Sequence, residues 1–335
     1  MLLGDPVGLD PGDKRPGRDG VVSWACQRFT DVDEQAASLA GFDIRCDQLG
    51  RGKFEGERRS LMLSDKTCIF IESANRSMRI RARWPVARYH VAILPETGVL
   101  PPVDLDGTLM APSDLMLTPP GIFNTEHIGG PLRYCWISVD QDSCLAEPDF
   151  LDGDAVAAEL SIVAAAQHAG LFRQIVAEGE RQFAAAANGG ANAQARAGFE
   201  RTLMAMVAWT RSAAAPAARR DAGIRAQHRA RLLRRAREII EGRLADGLTM
   251  PELCQELGMS RRSMESLFTR QLGLSPYEYV RALRFNALRR ALRAEENAGR
   301  PIADVAGERG FWHLSALAAD YRRMFGVLPS ADRRL

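Results

Sequence analysis

Arginines cluster in two related segments near the end of the chain. Arg261, Arg262 and Arg270 lie in the first, Arg322 and Arg323 in the second. A guanidinium presents its donors in a planar fork that fits a phosphate, or the O6/N7 edge of guanine, bidentately. The surrounding charge is skewed. Residues 224–335 hold 21 Arg, no Lys and 13 Asp or Glu, a net of +8, whereas residues 1–223 carry −6. A basic half beside an acidic one predicts a polyanion partner for the basic half and a different task for the other.

Other chemistry finds less support. His90 and His127 stand alone, whereas a metal-dependent β-sandwich enzyme needs two histidines one residue apart, a carboxylate and a third histidine. No metal and no cofactor are expected. The six cysteines (Cys26, Cys46, Cys68, Cys135, Cys144 and Cys254) form no C-x-x-C pair, which predicts buried thiols in a reducing cytoplasm. Gly50, Gly52 and Gly56 are followed by neither a Lys-Ser pair nor a helix signal, so they predict a hairpin turn and not a phosphate loop. No nucleophile elbow is present, and no enzymatic activity is expected. No apolar run approaches the ~20 residues that span a bilayer, and the start of the chain, rich in Gly, Pro, Asp and Arg, has no signal-peptide pattern. A cytoplasmic protein without a membrane partner is the expectation.

The elements that carry the arginines form a repeat. Residues 252–258 align with 304–310, and Leu272-Gly273-Leu274-Ser275-Pro276 aligns with Phe325-Gly326-Val327-Leu328-Pro329. In the first unit, Thr249 and Glu252 make a capping box with Pro251 in the first turn. Gly258 turns the chain, and Ser260 caps a helix that buries Met264, Leu267 and Phe268. Arg261, Arg262, Glu265, Ser266, Thr269 and Arg270 are left outside. The second unit buries Leu317 and Tyr321 and exposes His313, Ser315, Ala316, Ala319, Arg322 and Arg323. Between them, Ser275 and Pro276 open a helix through Leu283, Leu288 and Ala291. The pattern predicts two helix-turn-helix units, 249–272 and 301–325, each offering its second helix to a major groove. Heads on one side of a duplex would sit about one turn, roughly 34 Å, apart.

Before this half the pattern changes. Residues 1–20 read as disordered. A short helix is expected at 31–39, then strands at 54–63, 68–71, 89–94, 114–117 and 132–137, separated by turn clusters; this is the pattern of an antiparallel sandwich or small barrel. Residues 154–187 and 194–211 are alanine-rich with apolar residues at helical spacing, and 213–223 reads as a linker. Trp84, Tyr89, Phe123, Tyr134 and Trp136 are candidate pocket-lining residues.

The segments 258–268, 272–279 and 310–330 resemble the AraC/XylS regulators. The Phe311-Trp312-His313-Leu314 run is most similar to the family branch of ethanolamine-operon regulators. The resemblance covers about 228–331. It implies that Arg262, Glu265 and Ser266 of the first head, and Ser315, Ala316 and Ala319 of the second, face bases. Arg261, Arg270, His313, Arg322 and Arg323 would then meet phosphates. Alanine offers no bidentate hydrogen bond, so the first head is expected to carry most direct readout. The resemblance also implies a cupin-like, effector-binding and often dimerising N-terminal domain.

The expected architecture is multidomain α+β. A cupin-like β-sandwich with helices spans 21–148, a helical dimerisation or packing segment 149–212, and an all-α tandem helix-turn-helix domain 224–335. The expected function is sequence-specific transcription regulation, with promoter DNA, an unknown small-molecule effector and RNA polymerase as partners and a homodimer as a possible assembly. The alternatives are a cupin-type enzyme with an appended DNA-binding domain and a DNA adaptor that senses nothing.

Overall fold

In the computed structural model the described residues are 22–39, 41–94, 101–145, 160–165, 168–186, 192–214, 224–246, 248–312 and 314–333. The tail expected at 1–20, most of the linker at 213–223, and His313 lie outside them. The N-terminal part folds into two antiparallel sheets. The larger runs β1 (Ser23–Phe29), β3 (Gly56–Met62), β4 (Thr67–Ala74), β11 (Leu132–Asp140), β6 (Arg88–Ile93), β9 (Asp114–Thr118) and β12 (Ser161–Ala164). The smaller runs β2 (Asp43–Gln48), β5 (Met78–Arg83), β10 (Phe123–Ile128), β7 (Val103–Leu105) and β8 (Thr108–Leu109), and two short helices, α1 (Val32–Ala37) and α2 (Gln141–Leu145), follow β1 and β11.

Both faces of the central strands β4, β6 and β9 are covered, which explains why those strands read as nearly continuous apolar runs. Ile69, Ile71, Val91, Leu115, Leu117 and Ile137 pack against α3 (Ala169–Ala186) and α4 (Ala193–Ala213). Phe70, Ala92, Met116 and Trp136, on the alternate positions, face the smaller sheet. Phe172, Val176 and Phe183 of α3 and Leu203, Met206 and Val207 of α4 anchor the two helices to the sheet.

Two local expectations are corrected. Residues 161–164, expected to be helical, form edge strand β12 paired with β9, Ser161 opposite Leu117. The β-branched pair Ile162-Val163 suits a pleated surface, and sheet pairing overrides the alanine-rich surroundings. The glycines at 50, 52 and 56 do not close a hairpin, because β2 and β3 lie in different sheets. Their loop leaves the sandwich and touches the C-terminal half, where the Gly52 amide donates to the Met324 carbonyl (3.0 Å).

The C-terminal half is helical: α5 (Ile224–Gly242), α6 (Met250–Glu256), α7 (Arg261–Leu272), α8 (Pro276–Arg293), α9 (Ile302–Gly307), α10 (Leu317–Phe325) and α11 (Pro329–Asp332). The capping boxes at Thr249/Glu252 and Ser275/Glu278 are both formed. Tyr279, Leu283, Phe285 and Leu288 of α8 are buried at the centre of this half, with Phe268 on one side and Val305 and Tyr321 on the other. From one side of the molecule to the other, the layers are helices, sheet, sheet, helical domain.

Candidate DNA-binding face and effector cavity

The reading helix of the first unit is α7. The Ser260 hydroxyl accepts from the Ser263 amide, and Gly273 ends the helix in the left-handed region at φ 72°. Met264, Leu267 and Phe268 point inward, while Arg261, Arg262, Glu265, Ser266, Thr269 and Arg270 are all exposed. Arg261 donates to Glu265 across one turn (3.0 Å), so one expected phosphate contact and one expected base contact hold each other on the free surface.

The second unit is less regular. Its reading helix α10 spans nine residues and begins only at Leu317, seven positions after Gly310, whereas α7 begins three after Gly258. The cause is local. Where Ser260 caps α7, the second unit has Trp312 and His313, neither of which offers a hydroxyl, and Ala316 makes no side-chain cap. Without an acceptor for the first-turn amides, helix start is delayed. Ser315, Ala316, Ala319, Arg322 and Arg323 are exposed, and Arg323 pairs with Asp320 (3.1 Å).

Between the two sheets lies a cavity of about 60 Å³ with mainly apolar walls, among them Met78, Ile80, Met110 and Met116. Trp84, Tyr134 and Trp136 line it; Tyr89 and Phe123 do not. Tyr89 points to the outer face of the larger sheet, where Arg211 sits over its ring, and Phe123 is exposed at the start of β10. Strand alternation separates Tyr89 from the cavity. Sequence reasoning missed the polar groups of the cavity because they come from distant strands. Glu72 accepts from Trp136 Nε1 (2.9 Å), Gln35 Nε2 (2.9 Å) and Arg58 Nη2 (3.3 Å). On the other wall, Glu126 Oε1 accepts from Asn124 Nδ2 (2.8 Å), and Asn124 Oδ1 accepts from Trp84 Nε1 (2.6 Å). Burial pushes the Glu126 carboxyl up to about 7.

The smaller sheet stands between this cavity and the helical domain. Cys46, Ile80, Glu126 and Leu105 are cross-strand neighbours facing the cavity. One position along, Asp47, Arg79, His127 and Asp104 form a second cross-strand row, buried and facing the helical domain. Arg237 of α5 donates to Asp104 Oδ1 (3.0 Å) and to His127 Nδ1 (2.7 Å). Arginine is always the donor, so His127 Nδ1 accepts and its proton sits on Nε2, which faces the Tyr279 hydroxyl of α8 at 3.1 Å. Burial first, then the guanidiniums of Arg237 and Arg79, hold His127 well below the usual histidine range, in its neutral form. Arg79 pairs with Asp47 and with Glu241 of α5. Arg290 of α8 pairs with Asp47 (2.6 Å) and Asp33 (2.6 Å).

The sandwich also grips the rear ends of both reading helices. At the end of α7, Gln271 Nε2 donates to the Gly107 carbonyl (3.1 Å). At the end of α10, the Met324 carbonyl accepts from the Gly52 amide (3.0 Å) and Gln48 Nε2 (2.8 Å).

Among the described residues, no group of three or more His, Cys, Asp or Glu is placed to hold a metal ion. No described helix is long and apolar enough to cross a membrane.

A family model described as a helix-turn-helix domain matches residues 253–335. The probable thc operon regulatory protein of Rhodococcus erythropolis is 29% identical over 103 residues, 31% of each chain. The XylDLEGF operon transcriptional activator of Pseudomonas putida is 33% identical over 97 residues, 29% of this chain and 30% of its own length. These matches span about a third of the relatives' length. A solved transcriptional regulator of Chromobacterium violaceum, with an AraC-type DNA-binding domain, is 27% identical, with a TM-score of 0.29, covering 31% of this chain and 90% of its own. The C-terminal half is a tandem helix-turn-helix domain. It is of the AraC/XylS type.

Proposed function

We propose that this chain is a transcription regulator that binds promoter DNA through both heads and is controlled by a small molecule in the cavity of a cupin-like sandwich. The observation that carries it is the joint placement of the two sites. Both reading faces are open to solvent, while their rear ends are tied to the domain that holds the cavity. Residues 224–335 are the DNA-binding unit, 21–148 the sensor, and 149–212 the helices that back it. Arg262, Glu265 and Ser266, with Ser315, Ala316 and Ala319, face bases; Arg261, Arg270, Arg322 and Arg323 meet phosphates, and His313 belongs with them by its place in the sequence. RNA polymerase is the partner at the promoter. The outward side of α3, where Leu171 is exposed, is the surface for pairing two copies.

The effector enters a cavity of only about 60 Å³, so the flexible thioethers of Met78, Met110 and Met116 yield as it binds. A shift of β10 towards or away from the cavity moves His127 against Tyr279 and Arg237, which resets how the heads are held. The test is selection of bound sites from random duplexes with the full chain, followed by a metabolite screen for altered affinity. A regulator gives an enriched sequence and at least one metabolite that changes its affinity. Binding without sequence preference would overturn the proposal.

A further inference from the structure

We propose that the second head selects thymine through a wholly apolar contact, in which Trp312, Leu314, Ala316 and Ala319 dock on thymine 5-methyl groups in the major groove. The inference rests on the DNA-binding proposal above and adds the base class of one half-site.

The surface of that head is unusual in composition. Trp312 is 67% exposed and Leu314 42%, and both immediately precede a helix whose exposed early positions are Ala316, Ala318 and Ala319. Ser315 supplies the polar side chain there. A single exposed apolar residue needs no explanation. Two large ones together with three alanines leave the leading end of this helix with mostly apolar exposed side chains, which contact with water disfavours.

Charge identifies the occupant. Arg322 and Arg323 are exposed further along α10 in a half of the chain with a net charge of +8, so the patch is backed by cations suited to a polyanion. The uncapped start of α10 leaves first-turn amides without a side-chain acceptor, a geometry that accepts a phosphate. Within the major groove, thymine alone presents a methyl group; the other bases present polar edges there. An apolar face laid on a polar edge strips its water and returns no partner, so the patch favours thymine and disfavours the rest. The first head works the other way, with Arg262, Glu265 and Ser266 supplying hydrogen bonds.

The experiment uses the full chain and its selected site. Each thymine of the second half-site is exchanged for deoxyuridine, which removes only the 5-methyl group. Binding is expected to weaken about fourfold at each contacted position, the worth of one buried methylene. Deoxyuridine in the first half-site has no such effect. Trp312→Ala and Leu314→Ala should lose the discrimination between thymine and uracil while keeping first-half specificity; if either variant fails to fold, the base exchange on the unaltered protein decides. Equal binding of deoxyuridine and thymidine throughout the second half overturns the proposal. So does a Trp312→Ala variant that binds DNA normally but no longer activates transcription, which would assign the face to RNA polymerase. Absence of sequence enrichment in both halves would instead sink the DNA-binding proposal itself.

Discussion

Glu126 and His127 are consecutive residues of β10 that face opposite compartments. The Glu126 carboxyl lines the cavity between the sheets, and the His127 imidazole meets Tyr279 of the helical domain at 3.1 Å. One strand therefore separates the candidate effector site from the DNA-binding half by the thickness of its own backbone. The contact is not fully satisfied. Asp104 Oδ2 and Arg237 Nη2 are buried without a hydrogen-bond partner among the described residues, and each such orphan costs about 1–3 kcal/mol. The interface is held by fewer net interactions than its dense bonding implies, which suits a junction that rearranges.

Tyr279→Phe tests that junction. It removes one hydroxyl and leaves His127 Nε2–H buried without its acceptor. Stability should fall by about 1–3 kcal/mol, and limited proteolysis should cut between the halves sooner. Unchanged stability and unchanged proteolysis would show that the hydroxyl is not part of the closure.

Glu126→Gln tests the cavity carboxyl by its pH dependence. The groups acting on it are Asn124, Asp106 and Glu72, the last paired with Arg58. Burial raises Glu126 to about 7 from 4.5. The stability it contributes as a neutral acid is therefore complete below about pH 4.5 and is lost as pH rises through 7. Asp104, raised to about 6 by burial, acts in the same direction but is common to both proteins. The variant should match the parent near pH 4.5 and exceed it at pH 8 by on the order of 2–3 kcal/mol, each pH unit being worth about 1.4. Thermal melts at the two pH values check this; a constant difference would contradict it.

Arg262→Ala should cost about 1–3 kcal/mol at the selected site and relax base preference there. Arg322→Ala should weaken binding to every sequence and reduce the slope of log affinity against log salt by about 1. Titrations of both variants on cognate and random duplexes at several salt concentrations separate the roles, and interchanged outcomes would reverse the assignment.

Gly326→Ala probes the grip on the second head. Gly326 ends α10 at φ +81°, and a Cβ there would stand 3.2 Å from Lys53 Cβ on the sandwich loop. The left-handed backbone alone costs about 1–2 kcal/mol. A lower melting temperature is expected, with a larger loss of affinity in the second half-site than in the first.

Much of the helical half was readable because its signals are local. Thr249, Ser260 and Ser275 cap helices within three residues, and Gly258, Gly273, Gly310 and Gly326 all adopt positive φ at the turns. The strands around 88–93, 114–118 and 132–140 were readable from their apolar and β-branched residues. Strand β5 was not, since Met78-Arg79-Ile80-Arg81-Ala82-Arg83 alternates so evenly with charge that it resembles a solvent-facing edge. Arg79, buried beside Asp47, and Arg81, paired with Glu241 of α5, face the helical domain, and only Arg83 at the end of the strand is exposed.

By itself, the sequence determined the two-headed scaffold, the basic surface that accompanies it, and the unequal chemistry of the heads. Those properties depend on residue type and on spacings of three to sixteen positions, which the chain carries wherever it folds. Tertiary structure alone decided what joins the halves. The row Asp47, Arg79, His127 and Asp104 comes from four strands and meets Arg237, Tyr279, Glu241 and Arg290 from two helices. No spacing relates residues 47 and 290. Burial is what makes their pairing obligatory, because a charge removed from water must find its partner wherever the fold brings one.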